Sequence, residues 1–132
     1  MTHPSTAKLI KISNALLTQT KQGRLTWEPT EKLDVFEVNF PDYSIRIVPR
    51  TASGNAQAIA LITGEMSHQI EIYNNEGSLI EVASSYEMKN EGIPEAKDIA
   101  AVLWELYELA RRQAFSTDKA LDELLSRLSS AA

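Results

Sequence analysis

Cysteine is missing from this 132-residue chain altogether. That absence removes disulfide frameworks, thiolate metal sites and cysteine nucleophiles together. Histidine is nearly as scarce, with only His3 and His68. A Ser or Thr nucleophile would have to take its base from those two, and no Gly-x-Ser-x-Gly elbow accompanies them. Neither His-x-x-Glu-His nor an Asp-x-Asp-x-Asp-Gly loop is present, so no metal-ligand spacing can be read. Glycine is thin as well, five in all, and Gly54 stands alone where a phosphate cradle needs several. Positive charge is in deficit: 13 basic against 18 acidic side chains leave a net −5, which argues against nucleic acid and anionic membranes as partners. No stretch approaches the ~18 uninterrupted apolar residues of a membrane span, and the first residues lack the basic start and apolar run of a signal peptide. The expectation is a cytoplasmic protein without cofactor, metal or membrane contact, and without catalytic residues.

What is present reads as one globular domain over residues 1–132. At 43% hydrophobic residues the chain can build a core without covalent staples. Residues 5–22 carry Leu9, Ile10, Ile12, Leu16 and Leu17 at helical spacing, with Pro4 and Ser5 suited to the start and Gly23 to a left-handed C-cap. From residue 24 to 82 the period becomes two. Phe36, Val38 and Phe40 alternate with polar residues, then Tyr43, Ile45 and Ile47 after a turn at Pro41-Asp42, then Ile70 and Ile72. Residues 56–63 are read as a further strand, although their small side chains also suit a helix. Asn74-Asn75-Glu76-Gly77 closes a hairpin onto residues 79–82, because Asn and Gly tolerate the backbone such turns need.

Residues 84–92 read as a polar loop, and Pro94-Glu95 as the start of a second helix with Ile99, Val102, Leu103, Leu106, Leu109 and Ala110 on its core stripe. Ser116-Thr117-Asp118 reads as a fresh N-cap for a last helix, with Leu121, Leu124, Leu125 and Leu128 facing inward. The rival is a single helix of roughly 50 Å, since the apolar phase runs almost unbroken through the joint. Two helices are favoured. The fold class is therefore α+β: an N-terminal helix, an antiparallel meander of four to six strands, then two C-terminal helices packed on one face of the sheet.

Three segments together resemble a group of small uncharacterised bacterial proteins: residues 16–27 (LLTQTKQGRLTW), residues 72–77 (IYNNEG) and residues 106–112 (LYELARR). The resemblance spans most of the chain. It implies a bacterial α+β domain of unknown function and carries no catalytic residue with it.

Candidate chemistry is correspondingly sparse. Asp34, Glu37, Glu71 and Glu81 could meet across strands, but on an outer sheet face they read as solvating charges. The helix–turn–helix outline around residues 115–117 is opposed by Asp118, Asp122 and Glu123 on its second helix, where a DNA reader needs basic residues. Lys119–Glu123 and Glu123–Arg127 are instead spaced as i,i+4 pairs of a solvated face, and Glu108 stands one turn before Arg111 and Arg112. Trp27 reads as core. Trp104 and Tyr107 widen the apolar arc of the second helix beyond what one covering face hides, and with Arg111 they are the candidates for a contact surface. The leading expectation is a non-catalytic protein-interaction domain, with a protein partner or a second copy of itself, acting through the C-terminal helices. The alternative is a small-molecule site between sheet and helices built from Tyr43, Arg46, His68 and Tyr73, with an enzyme lacking a readable motif behind it.

Overall fold

A computed structural model of the chain describes residues 4–50 and 67–130. The first helix, α1, spans Pro4–Lys21. It buries Leu9, Ile10 and Leu16 on one stripe and ends as its sequence predicts. The Arg24 N–H donates to Gln19 O at 3.0 Å and the Gly23 N–H to Thr20 O at 3.1 Å, the paired closing bonds of a Schellman motif. Gly23 supplies the left-handed backbone at φ +73°.

Five antiparallel strands follow in sequence order: β1 Glu28–Pro29, β2 Phe36–Asn39, β3 Tyr43–Arg50, β4 Ser67–Asn74 and β5 Leu79–Ser84. The register puts Val38 beside Ile45 and Phe36 beside Ile47, with Ile45 and Ile47 beside Ile72 and Ile70 in turn. The alternate residues of each strand thus collect on one apolar face. Asn74 sets the β4–β5 turn: its Oδ1 accepts from the N–H groups of Glu76 and Ser78, both at 3.0 Å, while Gly77 takes φ +82°. The strand expected at 56–63 lies outside the described residues.

Residues 84–92 are not simply a loop. A short helix, α2, runs Ser85–Lys89 behind a capping box, Ser84 Oγ accepting from the Glu87 N–H while the Glu87 carboxylate accepts from the Ser84 N–H. Met88 is thereby buried in the core. Pro94 opens only a single 3-10 turn, Pro94–Ala96. The long helix α3 starts later, at Ile99, and runs to Ala114. Its buried stripe of Ile99, Leu103, Leu106, Tyr107 and Ala110 lies on the sheet and beside α1. The core is the space between that pair of helices and the inner sheet face, and Trp27 is sealed in it. Gln113 clamps this corner: its Oε1 accepts from the Trp27 N–H at 2.8 Å and its Nε2 donates to Leu25 O at 2.9 Å.

The last helix, α4, spans Thr117–Ser130. Ser116 at φ +49° breaks the path after α3, so two helices form rather than one. None of the residues of α4 is buried. Leu121, Leu124, Leu125 and Leu128, expected to face inward, are exposed; the inner sheet face is covered by α1 and α3, and α4 contacts α3 rather than the sheet.

Candidate functional site

The seven residues singled out from the sequence fall in four separate places. Tyr107 lies in the core. Its ring stands 5.5 Å from that of Phe36 and 4.8 Å from the His68 imidazole, and its hydroxyl donates to Asp34 O at 3.0 Å. Burial, seconded by the Asp34 charge, pushes its phenol up to about 12. Tyr107 is thus a tie between α3 and the segment before β2, and its candidacy for a contact surface fails on burial. Trp104, one helical turn earlier, is 42% exposed, with one edge against His68 at 5.6 Å. Arg111 is half exposed and pairs with Glu108 at 3.3 Å. Arg112 turns away from Glu108 and bridges the α3–α4 joint to Asp118 at 2.8 Å.

The four pocket candidates do not converge. Arg46 and Tyr73 share the outer sheet face, with the guanidinium 5.5 Å above the ring. Arg46 Nε donates to Glu37 at 2.7 Å, and its two terminal nitrogens grip the Glu31 carboxylate at 2.9 and 3.1 Å. The bond from Arg46 holds Glu31 below the usual carboxylate range. Tyr73 donates its hydroxyl to Glu71 at 2.7 Å. All three guanidinium nitrogens of Arg46 and the Tyr73 hydroxyl are engaged by carboxylates of the chain, so the cluster acts as a brace across β2, β3 and β4.

His68 lies on the other side of the sheet, buried, with no hydrogen-bond partner for Nδ1 among the described residues. Burial pulls its pKa below the usual imidazole value, against a smaller opposing pull from Glu108. With the Tyr107 ring tilted against one side and Trp104 meeting it edge-on, and with no hydrogen bond to a Ser, Thr or carboxylate among the described residues, the imidazole packs as an aromatic ring of the core. No cluster of three potential metal ligands exists among the described residues, and no helix there is long and apolar enough to cross a membrane.

Tyr43 lines a groove. At the turn end of the β2–β3 hairpin, an apolar groove of about 490 Å³ lies between α1 and the sheet. Ile12 and Leu16 form one wall, Ile45 and Ile72 the floor, and Phe40 and Tyr43 the rim. No charged side chain lines it.

Among the described residues, α4 is the helix that leaves a row of leucines without cover. Leu121, Leu124, Leu125 and Leu128 are 49%, 54%, 64% and 72% exposed in turn, rising as the helix leaves the body. Phe115 at its root is half exposed. Leucines on one helical stripe were visible in the sequence, but their spacing is the same whether the cover comes from within the chain or from outside. The i,i+4 pairs expected on the polar side do not close: among the described residues no ion pair joins Lys119 to Glu123 or Glu123 to Arg127, and Asp118 is drawn back to Arg112.

No family model, curated protein or solved structure matches this chain. The functional reading therefore stands on the geometry above.

Proposed function

We propose that this chain is a non-catalytic protein-contact domain whose working surface is the leucine stripe of α4. One observation carries the reading: a fourteen-residue helix with no buried residue holds four leucines half to three-quarters exposed. A helix of that length is marginal in water without tertiary support. Its four leucines leave roughly 400 Å² of apolar surface, as much as the largest patch of a typical monomer. Covering that surface is worth about 25 cal/mol per Å² before the costs of association. The acidic balance of the chain and its buried, unactivated His68 support contact rather than chemistry.

The test is Leu124→Asp with Leu128→Asp. Because neither side chain supports the core, the double variant should keep its circular-dichroism spectrum and its Tm to within a few degrees. It should lose the protein contacts that the unaltered chain makes. A variant that keeps all of them would refute the reading.

The groove beside Tyr43 favours a second reading, a site for a small uncharged apolar molecule. Its volume falls in the range of ligand pockets, and the surface it presents is wholly apolar. Ala15→Trp on its α1 side should fill the groove and abolish uptake of an apolar fluorescent probe. Uptake unchanged by that variant would rule the groove out.

A further inference from the structure

Resting on the reading of α4 as a contact surface, we propose that its occupant is α4 of a second copy of this chain. The two helices lie antiparallel about a two-fold axis passing between residues 124 and 125. Three observations carry this.

The first is the placement of the leucines. Leu124 and Leu125 flank the midpoint of the stripe directly, and Leu121 lies as far before it as Leu128 lies after it. Reversing the helix therefore exchanges the two i,i+4 rows, Leu121–Leu125 and Leu124–Leu128, one for the other. Each row then packs against its counterpart, Leu121 over the partner's Leu128 and Leu124 over the partner's Leu125. A two-fold interface requires this self-complementarity of one patch; a contact with an unrelated protein does not.

The second is charge. In an antiparallel pair related by such an axis, like flanks of the two helices adjoin. On one flank Asp118 and Asp122 occupy the N-terminal half and Ser129 the C-terminal end. The acids of each copy consequently meet a neutral stretch instead of each other, and the helix dipoles oppose head to tail.

The third is access and area. Exposure climbs along the stripe from Leu121 to Leu128, so the helix stands off its own body and a second helix can lie along it. Two leucine faces together supply roughly 800 Å² and their flanks bring the total near 1,200 Å², the lower edge of specific interfaces. The pair belongs to the reversible, concentration-dependent class.

The absence of cysteine makes the test clean, because any single introduced thiol is the only one present. Light scattering over a concentration series should show the mass rise from one chain to two, and Leu124→Asp with Leu125→Asp should hold it at one. Under mild oxidation, Leu125→Cys, beside the axis, should form a covalent dimer. Leu121→Cys alone should not, since its two copies lie about seven residues apart, or roughly 10 Å. A mixture of the Leu121→Cys and Leu128→Cys chains should link. Linking of Leu121→Cys with itself and not with Leu128→Cys would overturn the antiparallel pair in favour of a parallel one. A dimer that survives the double Asp variant would place the self-contact elsewhere and overturn the inference. A chain that stays monomeric at every concentration overturns it too. In that case the contact reading survives if the Asp variant loses a binding partner of different sequence, and falls with the inference if no contact is lost.

Discussion

Burial holds the His68 imidazole below its usual range, so the folded chain keeps it neutral at pH values where the unfolded chain takes up a proton. Stability contributed this way is present above about pH 6.5 and is lost as pH falls from there toward the lowered folded value, by at most about 1.4 kcal/mol per pH unit. His68→Phe keeps an aromatic ring between Trp104 and Tyr107 and has no proton to gain. Its Tm should fall less than that of the unaltered chain between pH 7 and 5, as thermal unfolding at matched ionic strength would show; equal slopes would refute the assignment. Tyr107→Phe isolates a different bond, the hydroxyl on Asp34 O. That change should cost about 1 kcal/mol in a denaturant titration. At Gly23 the cost of a side chain is conformational alone. A Cβ there would touch nothing within 4 Å, yet φ is +73°, so Gly23→Ala should destabilise by about 1 kcal/mol without any clash.

Among the elements, those with strong local punctuation were legible from sequence. α1 starts and stops within a residue of its expected limits because Pro4 and Gly23 constrain the backbone itself. The β2–β3 and β4–β5 hairpins form where Pro41-Asp42 and Asn74 to Gly77 predict them. The helix α2 was overlooked although its signal was there: Ser84 and Glu87 hold the spacing of a capping box, but only five residues of helix follow, too short for any periodicity. The late start of α3 has a similar origin, since Pro94 suits a 3-10 turn as well as an α-helix. The leucines of α4 mark a deeper limit. Amphipathic spacing says which side of a helix seeks cover and is silent on where the cover comes from. Tyr107 and Trp104 differ for a related reason: both widen the same apolar arc, and tertiary neighbours decide that Tyr107 is covered, by Phe36, His68 and the Asp34 backbone, and Trp104 only half so.

For the whole molecule, these points divide the chain into a body and an appendage. Among the described residues, the elements from α1 to α3 share one core, and α4 contributes no buried residue to it. Ending the chain after Phe115 should therefore leave a folded body whose Tm shifts by only a few degrees while concentration-dependent association disappears. Loss of cooperative unfolding in that truncated chain would show that α4 is structural after all. The proposed surface was legible only as a region: the sequence pointed to the C-terminal helices through Trp104 and Tyr107, whereas the apolar side chains left exposed there are Leu121, Leu124, Leu125 and Leu128, with Tyr107 buried.

The position of α3 also bears on synthesis. Its stripe of Ile99, Leu103 and Leu106 covers strands made earlier, and Gln113 reaches back to fasten Trp27. Until those residues are made, the isoleucines of β3 and β4 have no α3 to lie against. The described core thus has its full set of buried side chains only once α3 is made, and any cover that the leucines of α4 take from a partner comes after that.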